Sequence, residues 1–180
     1  CRVAVNKGIR RMVFTSSVAC YGNAPPGTGE DGDIAPFNDY GRTKYLAEEV
    51  FRDWQRDDAG QRTLAIVRPT VIFGERNRGN VYNLLNQVAL RRFLMVGSGR
   101  NVKSMAYVGN VAAFLRRLIL EERGNVLVNY VDGPAMDMNS LIGVVRQELG
   151  RSPGVGLRLP VWLGLAIGKL ADVVAAITSR

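Results

Sequence analysis

The segment "DYGRTKYLAEEVF", residues 39–51, sets Tyr40 and Lys44 four positions apart. On a helix, positions four apart are neighbours on one face. A phenol ordinarily keeps its proton until about pH 10, which makes it a poor base at neutral pH. An ammonium held beside it favours the phenolate, so such a pair has a rationale as a general acid/base. The same spacing also describes one turn of a solvated helix. What surrounds it must decide. Ser16 and Ser17 close the apolar run "RMVFTSS", and the end of a buried strand is where α/β sheets commonly set their chemistry.

The elements around these residues alternate. Residues 1–8 read as the tail of a helix with Gly8 behind it, and residues 11–17 as a buried strand. Residues 22–38 hold four glycines and three prolines and read as a long loop of the functional kind. Leu46, Ala47, Val50, Phe51 and Trp54 recur at helical spacing as one apolar face. "RTLAIVRP" is a second buried strand, and "VKSMAYV" and "NVLVNYV" are further strands. Helices are expected over 80–92, 110–122 and 138–149. This alternation predicts an α/β fold with a largely parallel sheet.

Composition narrows the function. The chain has 180 residues and a formal charge of +8, yet its basic residues are scattered singly or in pairs. No zinc-finger spacing or RNA-binding aromatic motif accompanies them, which argues against nucleic acid. There is no histidine, so Ser-His-Asp and Cys-His catalysis and mixed histidine metal sites are excluded. Cys1 and Cys20 cannot make a metal site alone and suggest no disulfide framework, which fits a reducing, cytoplasmic setting. The segment 159–177 is strongly apolar but is interrupted by Lys169 and Asp172. It reads as a helix packed on a core or partner surface, with a monotopic membrane contact as the alternative.

Four stretches together resemble one family: "VFTSSVACYG", "YGRTK", "VRPTVIFG" and "VGSGRNVKSMAYVGNVAAFL". The chain resembles the extended short-chain dehydrogenases/reductases, specifically the NAD-dependent epimerase/dehydratase group acting on nucleotide sugars. That resemblance implies the C-terminal portion of a Rossmann-type doubly wound parallel sheet with a small substrate-binding lobe. It divides the chain into a cofactor domain over 1–78 and 105–133 and a substrate lobe over 79–104 and 134–180. It makes Tyr40 the acid/base and Lys44 the charge that favours tyrosinate and binds the nicotinamide ribose. Ser17 would hydrogen-bond the reacting hydroxyl, while Ser16, Pro69, Thr70 and Val71 border the cofactor. Asn80 and Lys103 would hold the substrate diphosphate. The implied cofactor is NAD, with NADP left open, and the implied parent enzyme is a homodimer acting on a nucleotide-diphosphate sugar.

Departures from the pattern carry information. Val71 stands where many sugar epimerases have an asparagine. Val18 and Ala19 stand where sugar dehydratases carry an Asp-Glu pair, and neither can move a proton, which disfavours dehydration. The family's glycine-rich phosphate loop and first βαβ unit are expected before residue 1, so the chain reads as part of a longer 4-epimerase, inactive alone. Two alternatives stand beside that reading. One is net oxidation or reduction of a sterol- or flavonoid-like substrate, toward which Val71 and the apolar 159–177 lean. The other is a catalytically silent binding subunit.

Overall fold

The computed structural model describes residues 1–121, 124–166, 168 and 169. In chain order its elements are α1 (Arg2–Asn6), β1 (Arg11–Thr15), a 3-10 turn (Val18–Tyr21) and α2 (Asp39–Arg56). There follow β2 (Thr63–Pro69), β3 (Val71–Phe73), α3 (Asn80–Ala89), β4 (Met95–Val96), β5 (Val102–Lys103) and β6 (Met105–Tyr107). The last are α4 (Val108–Leu120), β7 (Val126–Tyr130), β8 (Met136–Asp137), α5 (Met138–Glu148) and β9 (Arg158–Leu159). They form two compact units, one from residues 1–76 and 104–133, the other from 77–103 and from Pro134 onward.

The first unit is built on a parallel sheet in the order β1-β2-β7. β2 lies in the middle, and its register sets Val13 against Ala65 and Val67 against Val128. Successive strand residues point to opposite faces, so one β2 sequence serves two interfaces. Ala65 and Val67 pack with Leu118, Phe114 and Leu115 of α4. On the other face Phe14 stacks on Phe51 of α2 with ring centroids 4.5 Å apart. Pro69, which has no N–H to donate, ends the strand. α2 starts where Asn38 accepts a bond from the Gly41 N–H at 2.8 Å, an N-cap that satisfies one orphan donor.

The second unit holds α3 and α5, the parallel pair β4-β9 and the antiparallel pair β5-β8. Its buried side chains include Val81, Val88, Met95, Leu141 and Ile142.

Several expectations are corrected here. The single strand expected across "VKSMAYV" is two. β5 pairs with β8 in the second unit and β6 with β3 in the first, and the chain passes from one unit to the other between Lys103 and Ser104. β1 stops at Thr15, which leaves Ser16 and Ser17 beyond the strand. On α2, Leu46 and Val50 are exposed, whereas Gly41, Glu48 and Trp54 are buried. The inward face is therefore partly polar, because Glu48 meets an arginine there. The apolar segment 159–177 begins with the last residue of β9 and is helical over 161–166; Ile167 and residues 170–177 lie outside the described residues.

Candidate active site

β1 and β2 run parallel, so their C-terminal ends lie together, and the chemistry-bearing residues of the first unit gather there. Lys44 fixes α2 to this edge: its Nζ donates to the Thr15 carbonyl at 2.9 Å and stands 5.4 Å from the Phe14 ring centre. An ammonium has three donors, and this bond uses one. One turn earlier Tyr40 is 57% exposed. Between them, Gly41 brings α2 against the 3-10 turn; a Cβ there would lie 2.3 Å from the Ala19 carbonyl oxygen.

Ser17 is buried and caps that turn, its Oγ accepting from the Ala19 N–H at 3.1 Å. The bond fixes the oxygen and leaves the hydroxyl proton to be donated. Thr70 follows β2; its N–H bonds the Tyr130 carbonyl at 2.9 Å, while its buried Oγ1 has no hydrogen-bond partner among the described residues. Pro69 is buried and Val71 exposed at the same strand end.

Beneath this edge lies a network that the sequence reading missed. Glu48, fully buried on α2, accepts from Arg68 Nε at 2.8 Å and Nη2 at 2.7 Å, a bidentate pair. Ser16 Oγ and Arg52 Nη2 donate to the same carboxylate. Arg68 Nη1 reaches the Tyr21 hydroxyl at 2.6 Å, and Tyr21 donates to Asn129 Oδ1 at 2.9 Å. The Asn129 N–H in turn donates to Glu30 in the loop 22–38 at 2.6 Å. Burial alone would raise the Glu48 carboxyl, but the bonds from Arg68 and Ser16 outweigh it and hold it below the usual carboxylate range. Burial works against the Arg68 charge as well, and the same pairing with Glu48 raises its affinity for the proton. Burial raises the Cys20 thiol. Two signals could have found the network: Glu48 extends the spacing of Tyr40 and Lys44 by one more turn, and Arg68 interrupts an apolar strand.

Ser16 thus belongs to this network and not to an open surface. Asn80 and Lys103 are in the second unit, Asn80 at the first position of α3 after the N-cap Gly79 and Lys103 half-buried in β5.

The nicotinamide end of a dinucleotide fits these residues: strand ends, exposed phenol, ammonium donors and the unpartnered Thr70 hydroxyl. The pyrophosphate end does not find its usual cradle. Gly27, Gly29 and Gly32 have the G-x-G-x-x-G spacing, but they sit in the loop 22–38, with no strand before them and no helix after. Their amides therefore lack the helix N-terminus on which that motif depends. Among the described residues no group of three or more His, Cys, Asp or Glu could hold a metal ion.

The model of the "NAD dependent epimerase/dehydratase family" matches residues 1–129. A 4-epimerase of N-acetyl-alpha-D-glucosaminyl-diphospho-ditrans,octacis-undecaprenol from Escherichia coli O157:H7 is 47% identical over 174 residues, which is 96% of this chain and 52% of that protein. A UDP-glucose 4-epimerase from Vibrio cholerae is 26% identical, over 97% of this chain and 55% of its own length. Among solved structures, a UDP-glucuronic acid 4-epimerase from Bacillus cereus in complex with NAD superposes with a TM-score of 0.75. At 17% identity, over 88% of this chain and 53% of that one, it shows the shared Rossmann-type fold. The chain spans about half the length of the curated relatives it matches. With the family model covering most of its residues and a relative at 47% identity along nearly all of it, the chain belongs to the NAD-dependent epimerase/dehydratase family.

Proposed function

We propose that the protein carrying this chain is an NAD-dependent 4-epimerase of a diphosphate-linked sugar. The observation that carries the reading is the Lys44 bond to Thr15, which ties the exposed Tyr40 turn of α2 to the strand ends. Tyr40 as tyrosinate takes the proton of the sugar hydroxyl and later returns it. Lys44 offers its remaining donors to the cofactor ribose. Ser17 donates to the same sugar oxygen, while Pro69, Thr70 and Val71 border the nicotinamide. NAD, when bound there, would supply the reversible hydride chemistry at the sugar carbon, which this chain's residues do not provide. Asn80 and Lys103 hold the diphosphate, Lys103 as a point charge and not as a fork. The first unit is then the cofactor domain and the second the substrate lobe.

The sequence reading points to a nucleotide as carrier of the sugar diphosphate. A polyprenol is the second reading, favoured by the 47% identical relative, whose name specifies an undecaprenol-linked substrate. The full-length protein should interconvert C4 epimers of a UDP-sugar or of a polyprenyl-diphosphate sugar with NAD present. Tyr40→Phe should lower turnover about a hundredfold or more while NAD affinity stays close to that of the wild type. Steady-state rates and cofactor titration on the same preparation decide it; unchanged turnover would sink the assignment.

A further inference from the structure

The charge of the chain is divided unequally. Residues 77–103 and 134–180 hold ten Lys and Arg against three Asp and Glu, so the second unit carries seven of the eight net positive charges. This unit also exposes large apolar side chains. Trp162 is 70% and Leu157 65% exposed, and Leu90, Leu94, Val161 and Leu165 are all about half exposed or more.

These two features occupy neighbouring surface. β4 pairs with β9, and Met95 N–H donates to the Leu157 carbonyl at 3.1 Å, which brings Leu94 and Leu157 side by side. Both line a cavity of about 540 Å³ together with Arg91, Arg146 and Arg151. At the other end of this ribbon the helical residues 161–166 lie on β4; a Cβ on Gly164 would be 2.5 Å from Val96 Cγ1. Trp162 and Leu165, three positions apart, share the face of that turn. The strip therefore runs from guanidinium groups to a tryptophan and two aliphatic side chains.

We propose that this strip docks the protein on an anionic phospholipid surface. Arginines attract anionic headgroups through their charge, and an indole with flanking aliphatics settles at the headgroup boundary. A nucleic acid would use the charge but leave the aliphatics in water. No helix among the described residues is long and apolar enough to cross a membrane. The inference goes beyond the reaction proposed above and holds whichever carrier the sugar has.

Co-sedimentation of the full-length protein with vesicles tests it. Phosphatidylcholine vesicles with about a third phosphatidylglycerol should retain the protein, with retention falling as salt is added, and pure phosphatidylcholine should retain little. Trp54 is buried and Trp162 exposed, so a blue shift of tryptophan emission on binding would report Trp162 entering the interface. Arg91→Gln with Arg146→Gln should weaken retention about 25-fold, taking roughly fivefold for each charge. Trp162→Ser should abolish the blue shift and weaken retention while leaving the melting temperature close to that of the wild type. No retention by anionic vesicles would overturn the proposal. So would retention without a blue shift, equal binding to duplex DNA, or a dimer that buries Trp162 in the absence of lipid.

Discussion

Glu48 carries a full charge with none of its surface exposed because Ser16, Arg52 and both arms of the Arg68 fork converge on it. Removing one partner of such a pair costs more than the pair contributes, since the other charge stays buried and uncompensated. Glu48→Gln should therefore lower unfolding free energy by about 3–5 kcal/mol in denaturant titrations. Substituting Arg68→Met in the same chain should recover part of that loss. The pH dependence has a definite sign. The folded Glu48 carboxyl lies below its ordinary value, so its contribution is complete above the unfolded value of about 4.3 and is lost as pH falls through the folded one. Wild type should lose more stability than Glu48→Gln between neutral pH and about pH 3. An equal loss would show that another group governs the acid limb.

At the scale of elements, two glycines draw backbone against backbone. Gly22 has φ +66 and would bring a Cβ to 2.0 Å from the Ala35 carbonyl oxygen, which closes the loop 22–38 onto itself. Gly41 does the same between α2 and the 3-10 turn, and a neighbour made of backbone cannot swing aside. Gly41→Ala should push the first turn of α2 off Ala19 and move Tyr40 with it. The expected outcome is a loss of about 1–3 kcal/mol in stability and at least a tenfold drop in turnover, read from melting curves and initial rates. Wild-type rates would mean that the turn tolerates displacement. Much of this level was legible in the sequence. Periodicity gave α2, and the short apolar runs bounded by turns gave β1, β2 and β7. The break between β5 and β6 was not legible, because Val102 to Tyr107 reads as one extended run and only its partners, β8 and β3, divide it. The ion-pair network was legible only as two isolated signals, Glu48 on the α2 face and Arg68 in an apolar strand; that they meet each other, Tyr21 and Asn129 is decided by the fold. Spacing singles out Tyr40 with Lys44, and position after an apolar run singles out Ser17; their roles come from motif resemblance alone, and the structure adds the bonds that orient Lys44 and Ser17.

Taken as a whole, the described residues suit one end of a dinucleotide and not the other. Strand ends, Lys44 and Thr70 suit a nicotinamide, whereas no helix among the described residues opens from a glycine-rich turn after a strand. Residues 1–180 expressed alone should show no saturation with NAD below about 1 mM in calorimetric titration, while the full-length protein saturates. Tight binding by the 180 residues would place a pyrophosphate site within them. The central strand of the first unit also bears on how the chain finds its fold. β2 is apolar on both faces, a pattern that by itself accepts a shift of one residue almost as readily as the native pairing. Arg68 removes that degeneracy. Slipped by one position, its guanidinium would enter the Leu118 and Phe114 layer and Val67 would face Glu48, stranding two opposite charges on opposite sides of the sheet. A single basic residue thus acts as a proofreading mark for strand alignment, and inserting one residue between Thr63 and Arg68 should be far more damaging than the same insertion in the loop 22–38.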